Sequence, residues 1–487
     1  MMRRTKIVAT LGPATDNPDT IAEIIKNGVD VVRLNFSHGK PDEHRRRAEQ
    51  VRHHAGLLKR TVGILGDLQG PKIRITRFKS GKITLQKGDE FTLDASLGDE
   101  EGTEKHVGLT YKNLPNEVSP GNVFVLDDGR IVLEVTAING DKIQTQTLVG
   151  GELSNNKGIN LRGGGLSAPA ITEKDENDIR LAADIDVDYL AVSFPRNAED
   201  INHARQLLRA AGCSAAIMAK IERAEALEFI DEILEASDAI MVARGDLGVE
   251  IGDPELPAVQ KMLIEKTRLA NKVVLTATQM MESMITNPTP TRAEVFDVAN
   301  AVIDGTDAVM LSAETASGAY PARAIEAMSR ICLSAEKSKD VQRSRHRIDT
   351  EFKHIDEAIG MATMYTANHL RVKAIAAMTE SGSTPLWMSR ISSGIPIYAL
   401  TQHKKTRHLV TLYRGVCPIP FKPIQEDMND AIRDIISLLV NEGVITGPED
   451  RIIITRGNLM GVGGGTSTMI IIRVGDWMLE KVTETKS

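Results

Sequence analysis

The sequence is poor in cysteine and in aromatic residues, and it has no strongly basic part. Only three of its 487 residues are cysteines, Cys213, Cys332 and Cys417, and they lie far apart. An odd number without paired spacing argues against a disulfide framework or a CxxC zinc site, and favours a reducing compartment. Aromatic residues make up 3% and the net charge is −7. A general nucleic-acid binder needs a basic field and stacking faces, so this composition argues against that class.

Long apolar runs are also missing, since none approaches the length of a membrane span. Two basic residues, Arg3 and Arg4, lie near the N-terminus, but Gly12 and Pro13 interrupt the apolar stretch behind them. This pattern argues against a secretory signal. The length predicts about three domains. Together these features predict a large, soluble, mildly acidic cytoplasmic protein, for which an enzyme is the default expectation.

Eight short apolar runs are rich in Val, Ile, Leu, Met and Ala, as strands buried on both faces should be. Helical patterns lie between most of them, for example at residues 19–28 and 257–272. Eight strands alternating with helices allow a closed barrel or an open doubly wound sheet, and the count of eight favours a (β/α)8 barrel. The runs start at Lys6, Asp30, Gly63, Tyr189, Ala216, Ala239, Val273 and Ala308.

A long insert between the third and fourth runs has a different pattern. Apolar and polar residues alternate there between Asp-Gly and Asn-Gly turns, which predicts an antiparallel sheet or small barrel. Glycine-rich joints at Gly70-Pro71 and at 163–165 predict hinges for a lid. Near the C-terminus, strands and helices alternate again, which indicates a small open α/β domain. We predict a barrel at 1–69 and 167–340, a β-rich lid at 70–166, and a C-terminal α/β regulatory domain at 341–487.

The ends of two neighbouring runs carry the residues best suited to chemistry. Lys220 and Glu222 are two apart on a strand and therefore point to one face, where a structural ion pair is the competing interpretation. Asp246 can join Glu222 in holding Mg²⁺ or Mn²⁺ through oxygens. Gly245 permits close backbone approach, and a helix beginning there would offer amides to a phosphate, although RGDLG is also an ordinary strand-to-helix turn. A lysine beside a carboxylate-held metal suits phosphoryl or enolate chemistry.

A second group of polar residues follows the runs that start at Asp30 and Gly63. Arg33, Asn35 and Ser37 occupy alternating positions and are predicted on one strand face. Arg33 suits a phosphate or carboxylate, although an arginine there is also commonly a surface salt bridge. Asp67 ends the neighbouring run.

Thr278 closes a later run. Its hydroxyl can bond a carboxylate or relay a proton, and a helix N-cap is the ordinary alternative. The nearby Met280, Met281 and Met284 are predicted as core residues rather than a metal site.

Other conspicuous features have structural interpretations. The three consecutive arginines at 45–47 predict a solvated helix face, and the charged stretch at 336–347 predicts a linker. The glycine-rich segments at 162–169 and 461–468 fit neither a dinucleotide fingerprint nor a Walker A loop.

Taken together, these motifs resemble the pyruvate kinase family along essentially the whole chain. The matching segments are KIVATLGPA, RLNFSHG, DLQGPKIR, AKIE, ARGDLGVE and the long block at 277–321. The resemblance implies a (β/α)8 barrel, a β-rich lid inserted after the third strand, a C-terminal α/β domain and a homotetramer. It also implies transfer of a phosphoryl group from phosphoenolpyruvate to ADP, giving pyruvate and ATP.

The resemblance also implies roles for the strand-end residues. Glu222 and Asp246 match the magnesium ligands. Lys220 matches the lysine that neutralises charge on the transferring phosphoryl group and on the enolate oxygen. Arg33 would contact the same phosphoryl group.

Substrate and nucleotide contacts follow in the same way. Amides around Gly245 and Asp246, with Thr278, would hold the carboxylate of phosphoenolpyruvate. Thr278 and ordered water are both candidates for the path that protonates the enolate. The residues implied for the nucleotide are Asn35, His38, Arg74 and Lys157.

One departure from the family pattern concerns potassium. Members that need it bind it through oxygens at the positions of Asn35, Ser37, Asp67 and a following threonine, and they carry glutamate in the hinge motif. Here the hinge residue is Lys72 and the threonine position is Leu68. An ammonium is a compact point charge, so we predict that Lys72 replaces the cation and that catalysis is potassium-independent, as in one bacterial subgroup. A surface lysine beside a bound potassium is the alternative.

The C-terminal domain contains a loop rich in small polar residues. Its hydroxyls and amides suit a phosphate, and a plain helix-capping turn is the alternative. The resemblance implies that this loop binds a phosphorylated effector, such as a sugar monophosphate or AMP, and Arg390 is a candidate for a further charge contact. The loop residues are Thr379, Ser381, Gly382, Ser383 and Thr384.

Two other functions share part of this pattern. A carbon–carbon lyase of the phosphoenolpyruvate and pyruvate barrels would also use a metal-bound enolate, but it has no nucleotide for a lid to enclose. A non-catalytic metabolite sensor would be expected to lack Lys220, Glu222 or Asp246, and all three are present.

Overall fold

The first part of the chain alternates buried strands with helices. The computed structural model describes residues 2–127, 129–342, 351–422, 428–457 and 465–477. All five residues of the first strand are buried, as expected for a strand covered on both faces. The elements are β1 (Lys6–Thr10), a 3-10 turn (Pro13–Thr15), α1 (Pro18–Lys26), β2 (Val31–Asn35), α2 (Pro41–Leu57) and β3 (Gly63–Asp67).

The insert that follows consists mainly of strands, as its alternating pattern predicts. Six of them form one sheet in the order β11-β7-β8-β9-β5-β6, and β4 pairs with β10. The pairings are antiparallel except for β5 with β6. The elements are β4 (Lys82–Leu85), β5 (Glu90–Asp94), β6 (His106–Gly108), a 3-10 turn (Leu114–Asn116), β7 (Val123–Leu126), β8 (Ile131–Asn139), β9 (Lys142–Val149), β10 (Gly151–Ser154) and β11 (Ile159–Leu161).

The strand and helix alternation then resumes. The strands are β12 (Tyr189–Val192), β13 (Ala216–Ile221), β14 (Ala239–Ala243), β15 (Val273–Ala277) and β16 (Ala308–Leu311). The helices are α3 (Glu173–Ile185), α4 (Ala198–Ala210), α5 (Glu225–Glu228), α6 (Ile230–Ala236), α7 (Arg244–Ile251), α8 (Leu256–Leu269), α9 (Arg292–Asp304), α10 (Ala313–Ala316) and α11 (Pro321–Ala335), with a 3-10 turn (Glu282–Ile285).

The eight strands that match the predicted runs close into a parallel barrel in the order β1-β16-β15-β14-β13-β12-β3-β2. The barrel confirms the predicted fold class. Because the strands run parallel, their carboxyl ends meet at one rim, where polar residues from different strands are expected to build a site.

The C-terminal region forms a separate five-stranded sheet in the order β19-β18-β17-β20-β21. Only β21 runs antiparallel to its neighbour. This is the predicted open α/β arrangement. The elements are α12 (Lys339–Gln342), α13 (Ile355–Leu370), β17 (Ala374–Met378), α14 (Ser383–Ser389), β18 (Ile397–Thr401), α15 (Lys404–Leu409), a 3-10 turn (Val410–Leu412), β19 (Val416–Pro420), α16 (Met428–Asn441), β20 (Arg451–Gly457) and β21 (Thr466–Arg473).

By contact density the chain divides into two compact units. One contains Met1–Gly66, Ile185–Tyr189 and Ile264–Ser487, and the other contains Asp67–Asp184 and Leu190–Leu263. Among the described residues, no helix is both long and apolar enough to cross a membrane.

Two structural predictions need correction. Arg47 is buried rather than solvated, because its guanidinium binds Asp16 in a fork with bonds of 2.7 and 3.0 Å. The predicted linker starts too early: Glu336 is buried, its carboxylate accepts bonds from the amides of Arg4 and Thr5, and a helical turn follows it. Residues 343–347 of that stretch, and residues 461–464 of the second glycine-rich segment, lie outside the described residues.

Candidate active site

The end of β13 brings an ammonium and two carboxylates together. Lys220 Nζ lies 2.9 Å from Glu222 Oε1 and 3.3 Å from Asp67 Oδ1. It also donates to Ser193 Oγ at 2.6 Å, and the hydroxyl of Ser193 donates to the carbonyl of Leu68. These oxygens hold the ammonium in place at the rim, because each of them is itself fixed at the end of a barrel strand.

Glu222 is deeply buried, with 2% of its surface exposed. Its second oxygen accepts the amide of Phe194 at 2.9 Å. Burial raises the pKa of Glu222; the nearby carboxylates of Asp246 and Asp67 raise it further, and the charge of Lys220 opposes the rise. Such a carboxylate is best stabilised by a positive charge, either the ammonium or a bound cation.

Asp246 lies in the first turn of α7, directly after β14, and Lys72 Nζ is 2.8 Å from its Oδ1. The structure therefore pairs the hinge lysine with a predicted metal ligand. Among the described residues, no cluster of three or more His, Cys, Asp or Glu side chains could hold a metal ion. Glu222 and Asp246 still fit magnesium, which is usually held by one or two carboxylates plus waters and substrate phosphates.

Arg33 lies near the end of β2 and is largely buried. Its Nη1 donates to Thr10 Oγ1 at 3.1 Å, and the Thr10 hydroxyl donates to the carbonyl of Leu311 at 2.9 Å. Thr10 and Arg33 face each other in the register of β1 and β2. Sequence reasoning missed Thr10, although its position at the end of an apolar run was a usable signal.

The residues after Arg33 differ from the predicted strand face. The strand β2 ends at Asn35, so Ser37 lies in a turn and the period of two does not extend to it. The Ser37 amide donates to Asn35 Oδ1 at 3.1 Å, which stabilises the turn. His38 is exposed, and its carbonyl lies 2.9 Å from His44 Nε2.

Thr278 follows β15 in an unusual backbone conformation. Its φ is +67° and that of Gln279 is +53°, and the Thr278 hydroxyl donates to its neighbour's carbonyl, Ala277 O, at 2.6 Å. Because the next helical turn has Met281 at its N-cap, Thr278 is not a helix cap. Met280, Met281 and Met284 are all fully buried, as predicted for core residues.

The two cations predicted to meet the nucleotide lie in the inserted sheet region. Arg74 donates to the carbonyl of Asn156 at 3.0 Å. Lys157 Nζ lies 2.7 Å from Asp127 Oδ1 and keeps about a third of its side chain exposed. Both side chains are therefore held by local partners within the same sheet region.

Several groups around the second glycine joint were not anticipated. All three glycines at 163–165 have positive φ, between +77° and +96°, where other residues would be strained. The amide of Gly163 donates to the carbonyl of Glu250 at 3.1 Å, and the carboxylate of Glu225 accepts the amide of Gly165. Arg223 donates to the carbonyl of Leu166 at 2.9 Å. The joint is thus hydrogen-bonded to residues near Glu225 and Glu250, and its role as a hinge stays a prediction.

The loop predicted for an effector precedes α14. Gly382 has a φ of +89° and donates its amide to Thr379 Oγ1, while the hydroxyls of Ser381 and Ser383 lie 3.2 Å apart. Thr384 is different, because its buried hydroxyl is bonded to the hydroxyl of Thr466. The structure therefore brings three of the predicted hydroxyls to one loop and turns the fourth into the interior.

Arg390 lies at the far end of the same helix and is 1% exposed. Its guanidinium pairs with the carboxylate of Asp307, which is also 1% exposed, and donates to the carbonyl of Lys272. The expectation of an effector contact by Arg390 is therefore wrong. The sequence could not reveal this, since the ion pair joins residues 83 positions apart.

Comparison with known proteins identifies the family of the chain. The family model "Pyruvate kinase, barrel domain" matches residues 2–325, and "Pyruvate kinase, alpha/beta domain" matches residues 357–472. The chain belongs to the pyruvate kinase family. It is therefore a kinase, and the lyase and sensor interpretations are set aside.

Individual pyruvate kinases are similar along most of the chain. Pyruvate kinase II of Salmonella typhimurium is 56% identical over 477 residues, covering 97% of this chain and 99% of its own. The pyruvate kinase of Haemophilus influenzae is 60% identical over 422 residues, covering 86% and 88%. That of Staphylococcus epidermidis is 43% identical over 478 residues, covering 98% and 81%.

Proposed function

We propose that this protein transfers the phosphoryl group of phosphoenolpyruvate to ADP in a magnesium-dependent reaction that gives pyruvate and ATP. The observation that carries the proposal is the ammonium of Lys220, held at the barrel rim by Glu222, Asp67 and Ser193. In phosphoryl transfer the protein mainly positions the groups and stabilises developing negative charge. A fixed ammonium stabilises that charge without reorganising during the reaction.

Glu222 and Asp246 would hold magnesium, or manganese, through their carboxylate oxygens. Bound there, the ion supplies positive charge to the phosphoryl oxygens and to the enolate. Each carboxylate lies against a lysine ammonium, Glu222 against Lys220 and Asp246 against Lys72. The lysines and carboxylates therefore alternate in charge, and a cation bound to the carboxylates would make the arrangement suitable for a polyanionic substrate.

The remaining substrate contacts come from residues at strand ends. Arg33, oriented by Thr10, would bind the phosphoryl group. The amides of Gly245 and Asp246 in the first turn of α7 would bind the carboxylate together with Thr278. Either Thr278 or ordered water would carry the proton to the enolate. The nucleotide would be held by Asn35, His38, Arg74 and Lys157.

An ADP-dependent assay of pyruvate formation tests the main proposal. Replacing Lys220 by Met removes the ammonium but keeps a side chain of similar length, so we expect kcat to fall about 100- to 1000-fold. Lys82→Met is the matched control, because Lys82 is 62% exposed and pairs with Glu152 in the insert. Undiminished turnover in Lys220→Met would remove Lys220 from the mechanism.

We further propose that Lys72 makes the reaction independent of potassium. Its ammonium lies against Asp246, so it brings a fixed positive charge to a predicted metal ligand. Leu68, next to Asp67, is 1% exposed and offers no side-chain oxygen. The sequence predicts the Lys72 charge beside Asn35, Ser37 and Asp67, whereas its ion-pair partner in the structure is Asp246.

Assays in tetramethylammonium buffer, with and without potassium, test this proposal. We expect no stimulation of the wild type, and we expect Lys72→Glu to lose most of its activity and to regain part of it with potassium. Lys79→Glu, on an exposed lysine of the same segment, is the control. Strong potassium stimulation of the wild type would contradict the proposal.

The loop at Thr379, Ser381, Gly382, Ser383 and Thr384 is proposed to bind a phosphorylated activator in a homotetrameric, cytoplasmic enzyme. Support comes from the positive φ of Gly382 and the closely spaced hydroxyls of Ser381 and Ser383. Saturation curves for phosphoenolpyruvate should shift with one of four ligands: ribose 5-phosphate, glucose 6-phosphate, AMP or fructose 1,6-bisphosphate. The regulatory assignment fails if none of them changes half-saturation.

A further inference from the structure

The backbone that carries Thr278 is strained at two consecutive positions. Thr278 has a φ of +67° and Gln279 a φ of +53°, and neither is glycine. For a β-branched residue such as threonine, a positive φ is a rare and costly conformation. Backbone of this kind persists only when its surroundings hold it in place, and it is often associated with a functional site.

A buried carboxylate provides such a restraint. Glu314, in the short helix α10 after β16, is 2% exposed. Its Oε1 accepts the amide of Met281 at 3.2 Å, and its Oε2 accepts the amide of Ser312 at 2.6 Å. One side chain thus bonds the loop after β15 to the turn after β16, the neighbouring strand of the barrel.

The electrostatics show that this carboxylate depends on its backbone donors. Burial raises the pKa of Glu314, whereas bonds from backbone amides, among them those of Ser312 and Met281, oppose the rise. A buried acceptor with two amide donors is costly to replace, because removal leaves both N–H groups unsatisfied. The carboxylate and the loop amides therefore stabilise each other.

We propose that Glu314 is a positioning residue for the kinase reaction: by bonding the Met281 amide it holds the strained Thr278–Gln279 backbone so that the Thr278 hydroxyl meets the substrate. This inference rests on the proposed role of Thr278. Glu314 itself acts through the loop and not by touching the substrate. The competing explanation is that burial of Met280, Met281 and Met284 alone holds the loop.

Steady-state kinetics of Glu314→Gln form the first test. Glutamine keeps one acceptor oxygen but places its side-chain amide NH2 against the other backbone N–H, that of Met281 or Ser312. The two donors repel each other, so the loop should shift while the protein stays folded. A misplacement of a reacting group by about 1 Å can lower the reaction rate about 100-fold. We expect kcat to fall about 10- to 100-fold while the KM for ADP stays unchanged. Glu326→Gln, on an exposed glutamate of α11, is the matched control and should behave as the wild type.

A double-mutant comparison shows whether Glu314 acts through Thr278. If it does, Glu314→Gln combined with Thr278→Ala should be no slower than Thr278→Ala alone. Multiplying losses would overturn the proposal, since they would mean independent effects. A wild-type rate in Thr278→Ala would overturn it too, together with the proposed role of Thr278. Failure of the wild type to make pyruvate from phosphoenolpyruvate and ADP would instead contradict the proposed function.

Hydrogen exchange gives a readout that does not depend on activity. In Glu314→Gln, peptides spanning residues 278–285 should exchange faster than in the wild type, and peptides from the insert should be unchanged. Unchanged exchange at 278–285 would support packing by the methionines and overturn the proposal. If Glu314→Gln does not fold, Glu314→Asp serves in all three experiments, because its shorter carboxylate reaches only one of the two amides.

Discussion

At the scale of single residues, the site is defined by charges that partly cancel. The ammonium of Lys220 has two carboxylates within 3.3 Å, those of Glu222 and Asp67. Asp246 has its own lysine, Lys72, at 2.8 Å. The three carboxylates outnumber the two ammonium groups, so the cluster by itself is net negative. A divalent cation held by Glu222 and Asp246, as proposed, would reverse that sign and favour the binding of a phosphate.

Glu250, near this group, has a carboxyl group whose pKa is raised. Burial raises its pKa from the ordinary value of 4.5 to about 7; the charges of Glu225 and Asp246 raise it as well, while the amide of Ala224 and the charge of Arg223 oppose the rise. The Ala224 amide donates to Glu250 Oε2 at 2.8 Å. The folded protein therefore binds this proton more tightly than the unfolded chain does.

We predict that Glu250 makes the protein less stable as the pH rises. The stabilisation from its proton is fully present below about pH 4.5 and is lost as pH rises through about 7, a change of at most about 3 kcal/mol. In Glu250→Gln, which keeps an acceptor for Ala224, this loss should disappear. Thermal unfolding at pH 6 and pH 8 measures it: the decrease in Tm should be smaller in the variant.

Surface Glu228→Gln, on the exposed end of α5, is the control and should keep the wild-type pH dependence. An equal decrease in Tm for the wild type and Glu250→Gln would show that Glu250 is not protonated in the folded protein near neutrality.

At the scale of elements, helix ends at the rim are built from local sequence signals. Thr291 caps α9, and it forms a capping box with Glu294. The carboxylate of Glu294 also accepts the amide and hydroxyl of Ser283, which ties the preceding 3-10 turn to the helix. The S/T-x-x-E pattern of the capping box is visible in the sequence. The bond between Ser283 and Glu294 is not, because it depends on the shape of the loop that separates the two residues.

We predict that Thr291→Ala lowers stability by about 1 kcal/mol, because the Glu294 amide loses its cap. The urea midpoint should fall, while Thr291→Ser, which keeps the hydroxyl, should stay within a few tenths of a kcal/mol of the wild type. Equal midpoints for the alanine variant and the wild type would mean that water replaces the cap without cost.

At the scale of the whole molecule, the amino ends of the barrel strands are linked to the C-terminal region by buried charge. Asp307, just before β16, accepts bonds from the guanidinium of Arg390, the amide of Arg414 and the amide of Val274. The guanidinium of Arg414 donates in turn to the carbonyl of Thr306 at 2.5 Å. These bonds lie at the amino end of β16, since Asp307 directly precedes that strand.

We predict that Asp307→Asn destabilises the protein by about 3–5 kcal/mol, because it leaves the Arg390 charge buried without its partner. The Tm should fall by several degrees, whereas Asp253→Asn, on an exposed aspartate, should leave it unchanged. The double variant Asp307→Leu with Arg390→Met should recover much of the loss, since an apolar pair of similar volume replaces buried ions at little cost. A double variant as unstable as the single one would argue that the other Asp307 bonds matter more.

Local pattern in the sequence determined the eight barrel strands, the β-rich insert and the alternating strands and helices of the C-terminal region. Strands with one or both faces buried show a regular pattern of apolar residues, and this pattern is visible in a single sequence. The same pattern located Lys220, Glu222, Asp246, Arg33 and Thr278 at strand ends, where a parallel barrel collects functional groups. These signals are local, so no tertiary information was needed.

Only the tertiary structure decided which side chains meet. Lys72 and Asp246 are 174 positions apart, and the Ser193 hydroxyl reaches Lys220 across 27. Arg47 and Arg390 look like surface charges in the sequence, yet each is buried against a carboxylate from another element. The positive φ at Thr278 has no sequence signature either, nor does the hydrogen bond from the Met281 amide to Glu314. Pairing between distant residues depends on the geometry of strand closure, which composition and periodicity do not encode.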